Sequence, residues 1–202
     1  MISPAALLGF ISVSFVMEAT PGPNMGYLAL LSAADGRRAG MSAVAGVALG
    51  LFLMGMAAAF GLAVAVTQSP ILYHVLLWAG VGYMLWLAVE AWRGEKGGTD
   101  DIAGSPLKFF RRGLITNLLN PKAFVFYVTV MPRFAGDVAS ISMTMMLVAV
   151  YVAVATLVHT GIVMLAGTAQ PFLATPQRIM IVRRVFAIML AGIAIWMAWA
   201  TI

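Results

Sequence analysis

Two short motifs inside long apolar stretches carry the polar groups that could do chemistry: Glu18-Ala-Thr-Pro-Gly-Pro-Asn24 and, about one hundred residues later, Asn117-Leu-Leu-Asn120-Pro121-Lys122. Each joins a charged side chain to asparagine and proline. Proline has no N–H, and its ring clashes with the carbonyl four residues earlier. Pro21 and Pro23 are therefore expected to release the carbonyls of Met17 and Ala19, and Pro121 that of Asn117. Asn120-Pro121 also reads as a helix start, with asparagine as the cap and proline in the first turn. Free N–H groups and the positive end of the helix dipole at such a start favour a carboxylate. Lys122 lies ten residues after Arg112 and eleven before Arg133, so each flank is about 15 to 16 Å long. That places it near the middle of a membrane, where a charge costs at least about 2.5–3.5 kcal/mol and needs a partner or a cavity.

Glu18 is the one carboxylate well inside its stretch. It and Lys122 could neutralise each other, or Lys122 could tie down freed carbonyls. Alternatively an α-amino acid enters between them, its carboxylate on Lys122 and the helix start, its ammonium on Glu18 and freed carbonyls. On this second reading the binding residues are Glu18, Pro21, Gly22, Pro23, Asn24, Asn117, Asn120, Pro121 and Lys122. His159 lies deep in another apolar stretch, and histidine titrates near neutral pH. Glu18 and His159 are the candidates for proton coupling, a histidine bonded to a nearby carbonyl being the plainer alternative for His159.

These groups need a membrane scaffold. Of 202 residues, 62% are hydrophobic and 9% charged, against about 25% charged in a soluble domain. Six apolar spans, each near the 20 residues that cross a bilayer, fall at about 4–34, 41–67, 71–93, 113–132, 140–167 and 182–201. The fold expected is all-α, a single transmembrane domain over 1–202. Its repeat one is 1–93, its cytoplasmic linker 94–106 and its repeat two 107–202. The first stretch is too long for a straight crossing, which unwinding at Pro21/Pro23 and tilting would explain. The first lysine or arginine is Arg37, so residues 1–17 lack the positive start of a signal peptide and read as a retained helix.

Arg37, Arg38, Arg93, Lys96, Lys108, Arg111, Arg112, Arg178, Arg183 and Arg184 fall in loops on one side, and Arg133 alone on the other. This positive-inside pattern puts both termini outside and explains the net charge of +5 without a nucleic-acid partner. Three spans per half make the second half an inverted copy of the first. Paired breaks at corresponding places in inverted halves point to a transporter's substrate site.

Other features read as architecture. Gly22/Gly26, Gly36/Gly40 and Gly46/Gly50 have the spacing for close helix approach, within the chain or across a homodimer. Trp78, Tyr83, Trp86 and Trp92 read as interface anchors or packing. Ser105-Pro106 starts a capped basic helix suited to lipid headgroups. Asp35, beside Arg37 and Arg38, reads as a solvated loop charge, with gating the lesser alternative. With no cysteine there is no disulfide or thiolate site. Metal ligands are not clustered at helical spacing, which weighs against the alternative of an ion or metal exporter. No nucleophile motif accompanies His159, so neither an enzyme nor a cofactor is expected.

Thr20-Pro-Gly-Pro-Asn24, Leu77-Trp-Ala-Gly-Val-Gly-Tyr-Met-Leu-Trp-Leu87, Gly113-Leu-Ile-Thr-Asn-Leu-Leu-Asn-Pro-Lys122 and Met131-Pro-Arg-Phe134 together resemble the LysE/RhtB family of amino-acid exporters, across nearly the whole chain. The resemblance implies a multi-pass transporter of the bacterial inner membrane. It would export a small amino acid of the homoserine, threonine or lysine class, driven by an ion gradient, with proton antiport as the expected coupling. Family members often carry an acidic residue in the middle of span five, where this chain has His159.

Overall fold

The computed structural model describes residues 2–61, 68–93, 105–136, 140–169 and 175–199, and among these there is helix and no strand. In chain order the helices are α1 (Pro4–Ala19), α2 (Pro23–Asp35), α3 (Arg37–Ala59), α4 (Pro70–Arg93), α5 (Pro106–Leu118), α6 (Pro121–Val125), a π-helical turn (Phe126–Val130), α7 (Met131–Ala135), α8 (Ile141–Gly167) and α9 (Pro176–Trp199). Most of the expected linker, residues 94–104, lies outside the described residues, as do 62–67 at the end of expected span two and 200–201 at the end of span six.

Both expected breaks are present. A residue before proline is pushed out of helical geometry into extended backbone. Thr20 (ψ 131°) and Gly22 (ψ 177°), each followed by proline, are extended, and α1 meets α2 at 59°. Asn120 (ψ 109°), before Pro121, ends α5 in the same way, and the two pieces of that stretch meet at 53°. Beyond it, Pro132 removes the N–H that would bond the Val128 carbonyl, and the wider π turn falls there.

α5 and α9 begin before the apolar spans expected from hydropathy. The helix that leads into expected span four, α5, begins at Pro106, where the Ser105-Pro106 pair is expected to start it, and Ser105 Oγ accepts the Lys108 N–H. The helix over expected span six, α9, begins at Pro176 rather than 182. By length and composition α3, α4 and α8 can each cross a membrane, and the two bent stretches bring the number to as many as five among the described residues. α9 is not among them.

α3 lies at the centre, packed on α5, α8 and α2, while α9 packs on α4 and α2. The α3–α5 crossing is backbone to backbone. A Cβ at Gly46 would strike the Phe110 carbonyl and the Leu114 nitrogen, and one at Gly113 would strike the Ala43 carbonyl. Gly40 faces Val163 and Ser32, Gly50 faces Asn117, and Gly26 faces Phe186. These glycines serve packing within the chain rather than a dimer face. Gly36, at φ 90°, makes the turn from α2 into α3, a conformation that favours glycine. Gly46→Val should abolish the folded protein, since backbone cannot yield as side chains do, and overpacking costs about 1–3 kcal/mol even where they can. Gly82→Ala, which meets nothing within 4 Å, should be neutral. Size-exclusion profiles of the detergent-extracted variants check both.

Among the described residues three apolar clusters result, a small one of Val81, Met84 and Ala194 and two larger ones. One of the larger gathers Tyr27, Leu28, Leu31, Val44, Phe109 and Val163, and the other Phe10, Val47, Leu51, Ala123, Phe126 and Tyr151. Between them along the chain lie buried polar groups. Glu18 and Asn24 separate Phe10 from Tyr27, Asn117 and Asn120 separate Phe109 from Ala123, and His159 separates Ala155 from Val163. A polar layer between two apolar ones is where a site must be sought.

Candidate functional site

The two breaks meet. Lys122 Nζ donates to the Thr20 carbonyl at 2.7 Å, bonding the second break to the first. Asn24 Nδ2 donates to Asn117 Oδ1 at 2.8 Å, in the interior. A Cβ at Gly22 would lie 3.3 Å from Lys122 Cδ and 3.6 Å from Nζ, so glycine there makes room for the lysine. Gly22, Asn24, Asn117 and Lys122 are thus gathered around one junction, and Pro21, Pro23 and Pro121 shape the backbone that brings them there. Asn120 Oδ1 accepts the Lys122 N–H at 3.1 Å and caps α6. That donor is used by the cap.

The carbonyls expected to be free are not all free. Thr20 N–H folds back onto Val16 and Met17, and Asn120 N–H onto Asn117. Each break turns N–H groups from just past its preceding helix back onto that helix's last carbonyls, Thr20 at the first and Leu119 and Asn120 at the second. Thr20, absent from the expected set, supplies the carbonyl that bridges the breaks.

Glu18 also has partners other than those expected. It is 5% exposed, and among the described residues no ion pair joins it to Lys122. Tyr151 O–H donates to Glu18 Oε1 at 2.5 Å. His159 Nε2 stands 3.1 Å from Oε2, without a regular hydrogen bond. So His159 faces the carboxylate, not a carbonyl. Both partners come from α8, where Tyr151, Ala155 and His159 form one stripe at four-residue spacing, all nearly or fully buried. Tyr151 is held by stacking on Phe126 (centroids 3.7 Å apart) and by an edge contact with Tyr127, which itself donates to the Leu51 carbonyl. This clamp aims the Tyr151 hydroxyl. The one sequence signal for Tyr151 was its position two helical turns before His159.

A carboxylate bonded to a hydroxyl and faced by an imidazole can take up or release a proton within the interior. An ammonium held by a single neutral carbonyl can be drawn away by a stronger, anionic acceptor. Asn24 Oδ1 and Ser14 Oγ, both buried, have no hydrogen-bond partner among the described residues. No group of three or more histidine, aspartate or glutamate side chains stands in a metal-holding arrangement among those residues.

Comparison with known proteins adds the family. A homoserine/homoserine lactone efflux protein of Salmonella typhi is 26% identical over 183 residues, covering 88% of each chain. A threonine efflux protein of the same organism is 28% identical over 132 residues, 62% of this chain and 64% of that one. A leucine efflux protein of Klebsiella pneumoniae is 32% identical over 118 residues, 56% of each. No solved structure matches the chain. The family model for LysE type translocators matches residues 15–201, both breaks included, and the chain belongs to that family.

Proposed function

We propose that this chain is a secondary active transporter that carries a small amino acid out of the cytoplasm in exchange for protons. It would sit in the bacterial inner membrane as six spans in two inverted halves, with both termini outside. The observation that carries this reading is the junction of the two breaks, where a lysine ammonium rests on a neutral carbonyl beside a buried carboxylate. The efflux activities named for the relatives support an amino acid as cargo.

The substrate carboxylate takes Lys122 from the Thr20 carbonyl, and the substrate ammonium takes the Glu18 carboxylate. Glu18 then has two competing ligands, the ammonium and a proton shared with His159 and Tyr151. Since one carboxylate cannot hold both, loading a proton expels the ammonium, and binding the ammonium expels the proton. That competition is the physical basis for antiport. Rocking of one half against the other would then expose the junction to each side in turn.

Tyr151→Phe removes one bond to the carboxylate and leaves the aromatic clamp. Hydrogen bonds to charged groups are worth about 1.5–3 kcal/mol, so the exchange rate should fall roughly 10- to 100-fold. Efflux of preloaded radiolabelled homoserine, threonine, leucine and lysine from cells overproducing the chain tests the proposal. At least one should leave faster than from cells producing Glu18→Gln at equal membrane abundance. Equal rates for all four would refute it.

A further inference from the structure

A cavity of about 60 Å³, open to solvent, lies between α2, α4, α5 and α9, away from the junction. Among the described residues its charged lining is Asp35, Glu90, Arg112 and Arg183, and its walls are apolar, among them Leu31, Leu87 and Phe186. Glu90 is paired with Arg112, and Asp35 lies 4.0 Å from Arg183. Each pair joins a carboxylate from before the 94–104 segment to a guanidinium from after it. Asp35, expected to be a loop charge, is thus the last residue of α2 and faces α9. Tyr27 also lines the cavity, and its buried hydroxyl has no hydrogen-bond partner among the described residues. Asn24, Tyr27, Leu31 and Asp35 follow one another at three- and four-residue spacing, so a single face of α2 runs from the junction to this cavity.

We infer that this cavity is a vestibule that binds the net-neutral zwitterion of an apolar amino acid before it reaches the junction. This rests on the reading of the chain as an amino-acid transporter. Among the described residues the two carboxylates and two guanidiniums of the lining sum to zero charge. A zwitterion can exchange with the protein's own pairs one for one, its carboxylate meeting a guanidinium and its ammonium a carboxylate. A cationic or anionic amino acid leaves one charge unmatched. The pairs are partly exposed, with side chains 20–36% accessible, and such pairs are weak enough to exchange. The apolar walls suit an aliphatic side chain.

Charge-altering variants give a signed test in proteoliposome counterflow, read as the ratio of apparent KM for lysine, leucine and glutamate. Arg183→Gln leaves the cavity net negative and should shift the ratio towards lysine about fivefold, the scale of one such ion pair. Asp35→Asn should shift it towards glutamate by a similar factor, and Arg183→Lys should leave it unchanged. Ratios that stay fixed in the two neutralising variants, whether or not every rate falls, mean that the pairs only latch the halves together and overturn the inference. Failure of the wild-type chain to exchange any amino acid would sink the transporter reading and this one with it. Exchange with unmoved ratios sinks this one alone.

Discussion

Glu18→Gln should abolish accumulation of substrate driven by a pH gradient in proteoliposomes, by at least about 100-fold, while the protein remains folded in the membrane. The substitution keeps the side chain's shape and leaves Tyr151 an acceptor. It removes the charge that faces His159 Nε2 at 3.1 Å, and with it the group that exchanges a proton for an ammonium. Removing one partner of a buried charged pair costs about 3–5 kcal/mol, and each 1.4 kcal/mol is tenfold in an equilibrium. His159→Gln should lower the gradient-driven rate less, because Tyr151 still holds the carboxylate. Accumulation by Glu18→Gln that matches wild type would remove Glu18 from the coupling step.

The second large effect is expected at Lys122. Lys122→Ala removes the bond to the Thr20 carbonyl and the cation proposed to receive the substrate carboxylate. Binding of the transported amino acid to purified protein should weaken by about 10-fold or more, given roughly 1.5–3 kcal/mol for a hydrogen bond to a charged group. Lys122→Arg should recover only part of this. Gly22 leaves room for a lysine stem, whereas a guanidinium is planar and broader. Titration calorimetry in detergent measures it, and an unchanged Kd for the alanine variant would contradict the assigned role.

The positions of the breaks were legible because proline acts locally. Pro21, Pro23 and Pro121 each force the residue before them out of the helix, whatever the tertiary setting. The cap at Ser105 and the glycine stripe at Gly46 and Gly50 were legible for the same reason, since turn chemistry and small-residue spacing are written within a few residues. The partners of Glu18 were not. Tyr151 and His159 are 133 and 141 residues away in sequence, and a tyrosine within an apolar run looks like any core aromatic. The fate of the freed carbonyls was misread because Thr20 and Asn120 turn their own N–H groups back onto the helix ends, a local rescue that proline counting ignores. Asp35 was misplaced because its sequence neighbours Arg37 and Arg38 hid its facing residue Arg183 on α9.

The central claim is that one amino acid is held where the two breaks meet. Counterflow in proteoliposomes across the twenty amino acids plus homoserine, with and without a pH gradient, tests it most directly. Wild-type protein should show saturable exchange of at least one small amino acid, altered by the gradient and lost in both Glu18→Gln and Lys122→Ala. Exchange that persists undiminished in both variants, or no exchange of any amino acid by the wild type, would contradict it.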